Sequence, residues 1–435
     1  MIRLNKILMR RLILTFALLC AFLFAKPQEG NFYYETAAYK ENIKTVLMYR
    51  TGFVLSNPVM GLNEDQTLTF MFDDISQEVK DYYYTIIHCD AEWKESYIPQ
   101  TDYLDGFTEN PVSDYAMSFN TTFSYVNYQI ELPNEQVQFK LSGNYVLVVY
   151  EDNDKENIVL TQRFSIFENA VTIDGTVRRS TLDAFKGGSH EVDFTVHHPN
   201  LNILNPQDEV RVVVMQNNRW DNAKKDLKPL YIRDRELIYD YNKENVFKAG
   251  NEFRYFDNRT NRMNGENVYS TDFHRPYFHK TLTIDEVRAN KKFFSYEEMN
   301  GKYVIESQDQ EVRDYDTECD YVFVHFSLPL ESPLLGGSIN VFGALTQWNA
   351  NKGNEMTYNF DTSQYELTLL LKQGYYNYMY VYVPQGSMEA DHTNIEGSFW
   401  ETENDYQVFV YYRDLAGRYD RLVGYRILNS VKDRY

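Results

Sequence analysis

The sequence predicts an all-β fold made of tandem β-sandwich domains, and three observations predict it. Short apolar runs of strand length recur along the whole chain. Polar turn clusters separate them, among them Asn63-Glu-Asp, Glu151-Asp-Asn-Asp and Asn351-Lys-Gly-Asn. Many short strands between polar turns are the pattern of sandwiches. Aromatic residues make up 16 % of the 435-residue chain, with 37 Tyr and 28 Phe. Flat rings of this kind suit the pleated surface of a strand.

In chain order, the first residues read as a leader rather than fold. Arg3, Lys6, Arg10 and Arg11 form a basic start, residues 12–24 are apolar, and Ala25 offers a small residue for cleavage. This is the layout of a secretory signal peptide over residues 1–25. Its removal takes four cations and no acids from a net charge of -20, leaving -24. Cys20 is preceded by Leu19, where a lipid-attachment site would want a small residue.

Strands are expected at 68–72, 82–89, 145–150, 158–160, 192–196, 210–215, 321–326, 375–383, 408–412 and 422–428. Residues 151–157 read as a hairpin turn, because they lack the Gly and terminal Glu of a calcium loop. Helical signals are few. The best lies at 283–290, where Thr283 could cap and Asp285 and Glu286 would fill the first turn.

Two segments share a bend. Leu141-Ser-Gly143-Asn-Tyr145 and Leu371-Lys-Gln-Gly374-Tyr-Tyr376 each place a Gly two residues before a Tyr that begins a strand. That is the layout of a tyrosine corner, in which the hydroxyl bonds back to upstream backbone. They mark late strands of two separate Ig-like/early-set β-sandwiches. The expected domains are therefore residues 26–168, a middle β-rich piece at 169–315, and residues 316–435.

Composition and motifs exclude several functions. The strong negative charge lacks the basic footprint that nucleic acid requires. Of Cys20, Cys89 and Cys319, two remain after cleavage, with no C-x-x-C, and both read as buried thiols. His197-His198 point to opposite faces of a strand and do not chelate one ion together. No G-x-S-x-G, Walker loop, G-x-G-x-x-G or H-E-x-x-H is present. The carboxylate pairs Asp73/Asp74, Asp90/Glu92 and Asp102/Asp105 are of a kind that chance supplies in a chain with 63 acids. The expectation is no catalytic residue, no cofactor and no metal.

Aromatic clusters carry more weight. The strand at 82–89 should pack on both faces, with Tyr82, Tyr84 and Ile86 on one and Tyr83, Thr85 and Ile87 on the other. It leads into an acidic, aromatic segment holding Trp93, Tyr97, Tyr103 and Phe107, the expected partner-binding anchors. In the strand at 375–383, Tyr376, Tyr378, Tyr380 and Tyr382 share a face, and Met379, Val381 and Val383 share the other. An outward tyrosine face of this kind would suit protein or sugar contacts.

The run at 79–93, Val-Lys-Asp-Tyr-Tyr-Tyr-Thr-Ile-Ile-His-Cys-Asp-Ala-Glu-Trp, resembles the type IX secretion system plug protein family of Bacteroidota. So do Asp-Tyr-Leu-Asp-Gly-Phe-Thr-Glu-Asn-Pro at 102–111 and Ser-Phe-Asn-Thr at 118–121. Further matches are Gly265-Glu-Asn-Val, Phe273-His-Arg-Pro-Tyr, Asn300-Gly-Lys-Tyr and Gly343-Ala-Leu-Thr-Gln-Trp348. The resemblance implies a non-enzymatic periplasmic protein that binds the periplasmic mouth of the giant outer-membrane β-barrel translocon and closes it when no cargo passes. It is not itself membrane-spanning and brings no catalytic residues. The segment from Val341 to Trp348 also resembles early-set sandwiches that include glycogen-binding modules. That likeness implies an alternative, a periplasmic carbohydrate-binding protein using Trp348 and the Tyr376/Tyr378/Tyr380 face.

Overall fold

A computed structural model of the chain describes residues 34–434, apart from 310, 311 and 415. The expected signal peptide lies outside these residues. Strand accounts for 46 % of the chain and helix for 5 %, so the fold class is all-β with tandem sandwiches. All ten expected strands form, most of them extended by one to several residues. No helix among the described residues is long and apolar enough to cross a membrane.

The first sandwich is built from one continuous stretch. Its larger sheet runs in the order Ala37–Ala38, Ile158–Phe167, Gly143–Glu151, Tyr82–Cys89, Asn110–Pro111, with Val59–Gly61 joining Ile158–Phe167. Its second sheet runs Ile43–Arg50, Leu68–Asp74, Val126–Leu132, Asp114–Met117. Alternation supplies the core between them. Leu68, Phe70 and Phe72 from one sheet meet Tyr82, Tyr84, Ile86, Tyr145 and Leu147 from the other. On the opposite face of Tyr82–Cys89, Tyr83 stacks on Tyr150. Residues 151–157 form a tight turn between two antiparallel strands, closed by Asp154 N to Glu151 O and Asn157 N to Asp154 O.

The other two sandwiches depart from the expected division at 315/316. Strands Asp405–Tyr412 and Arg421–Asn429 do not belong with the 316–384 region. They extend the sheet of Val210–Gln216 and Lys224–Leu227, opposite Thr172–Arg179, Ser189–His197, Glu236–Tyr239 and Tyr231–Arg233. Residues of both chain segments share one core, including Val212, Val214, Tyr239, Tyr406, Val408 and Val410. The third sandwich is inserted between them. Arg254–Asp257 and Tyr303–Ile305 pair with Gly374–Pro384, as does Gly337–Phe342. The facing sheet runs Val268–His274, Tyr277–Leu282, Tyr321–Pro329, Gln364–Lys372, Thr357–Asn359. Local periodicity marks a strand but not its partner, which is why the sequence reading cut the second sandwich in two.

Both tyrosine corners form. The Tyr145 hydroxyl donates to the Leu141 carbonyl at 2.7 Å, and the Tyr376 hydroxyl to the Lys372 carbonyl at 2.6 Å. The expected helix at 283–290 does not form. A helix that short is marginal on its own. Its side chains are instead recruited: Asp285 accepts from the Tyr378 and Tyr380 hydroxyls and from Arg254. The Arg288 and Ala289 amides bond Ile395.

Buried polar groups join the sandwiches. Between the first and third, Lys372 meets Asp73 at 2.8 Å with both side chains fully buried. Tyr321 and Asn127 donate to the same carboxylate, and the Lys372 ammonium lies 4.3 Å from the Tyr125 ring centre. Between the first and second, Tyr411 donates to Asn144, the Ala91 amide to Asp420, and Arg421 pairs with Glu168. In the third, burial alone would raise the Glu396 carboxyl. Arg254 and Arg288 outweigh it and bring the group down to about 2. A buried charge is tolerable only when paired and hydrogen-bonded in this way.

Candidate interaction segment

The segment at 90–111 leaves the strand Tyr82–Cys89 and is held down along its length. The Asp90 carboxylate accepts from the Glu92 and Lys94 amides. This closes a tight turn in which Trp93 takes a left-handed φ of 63°. Ser96 N donates to His88 O, and the side chains of Gln100 and Tyr103 both donate to the Ile86 carbonyl. Further on, Phe107 N donates to Gln136 O. The segment is thus pinned to a core strand rather than free to reorder.

Pinning divides the four expected anchors. Tyr97 is 99 % exposed and Phe107 69 % exposed, whereas Trp93 and Tyr103 are each only 5 % exposed. Two of the four therefore need correction, since they face inward. Tyr103 packs on Tyr145 and His88, and burial pushes its hydroxyl up to about 12. Trp93 meets Trp220 edge-on, at 5.3 Å between ring centres. The Arg163 guanidinium lies 4.5 Å from the Trp93 ring centre and 5.3 Å from that of Trp220, a cation–π arrangement. The exposed pair stands in an acidic setting. Asp105 is exposed, and Asp102 pairs with Arg418 at 2.9 Å.

The tyrosine face is also corrected. Tyr376, Tyr378 and Tyr380 lie in the core of the third sandwich, each no more than 2 % exposed, and their hydroxyls are taken by Lys372 O and Asp285. The facing sheet covers this side of the strand, so it offers no sugar platform. Trp348 is half-buried, edge-on to Phe253 and Phe342. Gly301, at φ 77°, makes that packing possible, because a Cβ there would stand 2.5 Å from both the Phe253 and Trp348 rings. Only glycine fits such a position without strain.

Trp93, Trp220, Trp348 and Phe342, together with Arg163, line one cavity of about 550 Å³ where the three sandwiches meet. Its walls can cover an apolar group beside a cation. The buried Trp93 indole N–H makes no hydrogen bond. Sequence reasoning named Trp93 and Trp348 separately and missed Trp220 and Arg163. The residues come from distant segments, and no local pattern links them.

The carboxylate pairs are occupied with structure. Asp73 neutralises Lys372, Asp74 accepts from Asn42 and Tyr82, and Asp90 closes its turn. Cys89 and Cys319 are buried and unpaired. Glu191, Asp193 and Asp240 converge, but Arg178 already sits among them at 2.7–3.2 Å.

Residues 43–168 match the family model for the first domain of the type 9 secretion system plug protein. That span holds nearly all of the first sandwich and the whole of the 90–111 segment. A hypothetical protein from Parabacteroides merdae, known from a crystal structure, is 36 % identical. The alignment covers 92 % of this chain and 100 % of that one, with a TM-score of 0.89. The BSP domain of a biofilm-associated protein aligns over 93 % of this chain and 62 % of its own at 9 % identity, with a TM-score of 0.18, too low to indicate a shared fold. No curated protein matches. With the plug-domain model covering residues 43–168 and a 36 % identical relative sharing the architecture over 92 % of this chain, the chain belongs to the type IX secretion system plug protein family.

Proposed function

We propose that the protein is the periplasmic stopper of the type IX translocon. It binds the periplasmic opening of the outer-membrane barrel and closes it when no cargo is passing. The observation that carries this reading is the plug-domain match over residues 43–168. Family membership makes the chain a component of the secretion machinery of the cell envelope and points to a structural rather than a catalytic role.

The physics of a stopper is steric closure by a body that does not deform, held by a well-packed interface. Buried ion pairs and hydrogen bonds across the sandwich junctions supply stiffness. Exposed aromatic anchors on a pinned segment supply contact area at small entropic cost. Tyr97 and Phe107 meet that description, and we assign them to the barrel contact.

The test is co-purification of a very large β-barrel from solubilised outer membrane with tagged full-length protein. Replacing Tyr97 and Phe107 together by Asp is expected to abolish the barrel band. It should change the unfolding free energy by less than about 0.5 kcal/mol, as for exposed sites. Retention of the barrel at wild-type levels overturns the assignment of these two residues. Failure of the unmodified protein to retain any barrel overturns the stopper reading itself.

A further inference from the structure

Eight histidines occur in the chain. His88, His190, His198 and His392 are buried, and His197 lies between Asp174 and Glu236. The other three, His274, His279 and His325, gather on the outer face of the third sandwich, on three neighbouring strands. In the ladder His279 stands opposite Asp272 on one side and beside Phe323 on the other. His274 and His325 flank it diagonally.

His279 Nδ1 and His325 Nε2 are 2.9 Å apart, with rings nearly parallel at 12°. The His274 ring centre is 5.0 Å from that of His279. A Thr368 hydroxyl lies 2.8 Å from His325 Nδ1. With the Thr368 hydroxyl accepting the Nδ1 proton, the lone pair of His325 lies on Nε2, where it accepts from His279 Nδ1–H. An ion bound between the two nitrogens takes the place of that proton, and His279 then carries its proton on Nε2. Hydrogen bonding on the far nitrogen is how proteins orient a ligating imidazole.

We propose that this face binds one divalent ion of the Zn²⁺ class, with His279 Nδ1 and His325 Nε2 as the first two ligands and His274 as the third. Two imidazole nitrogens on one tetrahedral zinc stand roughly 3.3 Å apart, given bonds of about 2.0–2.1 Å. The observed pair is a few tenths of an ångström short of that and opens by a small ring tilt. His274 completes the set by a rotamer change, which its exposed position permits. Such changes are fast for exposed side chains. Three protein ligands leave the outward position for water or for a donor from another molecule. Asp272, opposite His279 in the ladder, accepts from Ser270. The ion would tie the hairpin of Val268–His274 and Tyr277–Leu282 to the strand Tyr321–Pro329. The acidic cluster of Glu191, Asp193 and Asp240 offers no such site, because Arg178 is its cation.

The experiment is calorimetric titration of untagged full-length protein with ZnCl₂, paired with thermal unfolding with and without the ion. One bound ion per chain and a rise in Tm with zinc are expected, since a ligand of the folded state stabilises it by mass action. His279→Ala and His325→Ala should each weaken binding by about tenfold or more, at least the loss seen when an orienting partner is removed. His274→Ala should weaken it less, and His197→Ala should leave it unchanged. All these side chains are at least partly exposed, so ion-free Tm serves as the control for folding. Absence of one-ion uptake overturns the proposal, as does uptake that survives His279→Ala and His325→Ala together.

Discussion

The first and second sandwiches are alike in architecture and opposite in how the chain builds them. The first takes all its strands from one run, beginning at Ala37 and ending at Phe167. The second takes six strands within 172–239, with Val246–Lys248 at its edge. It waits for Asp405–Tyr412 and Arg421–Asn429 until the third sandwich has been threaded between. The difference locates the cost of insertion. The first can close its core from local contacts, while the second must close a loop of more than 150 residues. Loop closure of that kind grows only slowly with length. The junctions must nevertheless be specific, and they carry the buried charges.

The largest test of this contrast is truncation. A chain ending at Glu401 loses both late strands of the second sandwich. It is expected to forfeit that sandwich's whole stability, about 5–15 kcal/mol for a domain. Limited proteolysis should then digest 169–250, and a protected 169–250 fragment would show that the late strands are dispensable. Residues 35–168 expressed alone should by contrast give a cooperative thermal transition.

Next comes the junction of the first and third sandwiches. Lys372→Met leaves the Asp73 carboxylate buried without its cation and should cost about 3–5 kcal/mol. Adding Asp73→Asn should recover a substantial part. Urea unfolding of the two variants decides this, and equal midpoints would mean that the ion pair does not couple the sandwiches.

The insertion junction of the second and third sandwiches offers a pH test. Burial, then Glu252 nearby, pushes the Glu298 carboxyl up to about 8. A folded pKa above the unfolded value means that the native state holds the proton longer. The stabilising contribution is full below about 4.5 and is lost as pH rises through about 8. Glu298→Gln mimics the protonated form and keeps the acceptor for Gly301 N. It should gain several kcal/mol at pH 9, up to about 5 kcal/mol at about 1.4 kcal/mol per pKa unit, and less than about 1 kcal/mol at pH 5. A gain independent of pH would assign the effect to packing instead.

The smallest expected effects compare the two corners. Tyr145→Phe and Tyr376→Phe each delete one hydroxyl-to-carbonyl bond and should each cost about 1 kcal/mol by urea denaturation. A marked inequality would show that one corner holds its sandwich more firmly than the other.

Much of the fold was legible because strands advertise themselves locally. The apolar run at 68–72 and the Gly-x-Tyr bends at Tyr145 and Tyr376 are short-range signals, and both read out as expected. The interaction segment was half legible. Its aromatic content marked residues 90–111, but not which rings turn outward. Trp93 and Tyr103 are apolar enough to be captured by Trp220, Arg163, His88 and Tyr145, and all of these but His88 lie far away in sequence. The helical signal at 283–290 was genuine as propensity, yet Tyr378, Tyr380 and Ile395 claimed its polar groups.

By itself, then, the sequence determined the class of fold, the position of ten of the longer strands and the two corner tyrosines, since each depends on residues within a few positions of one another. Tertiary structure alone decided that the second sandwich is split, that Tyr378 faces a core, that three tryptophans share a cavity, and that three histidines meet on one sheet face. The physical reason is common to all four. A two-residue period says that a side chain lies on one face or the other, whereas what covers that face depends on which strands pair and which sheets stack. That choice rests on contacts between segments hundreds of residues apart, such as Lys372 with Asp73 and Tyr411 with Asn144.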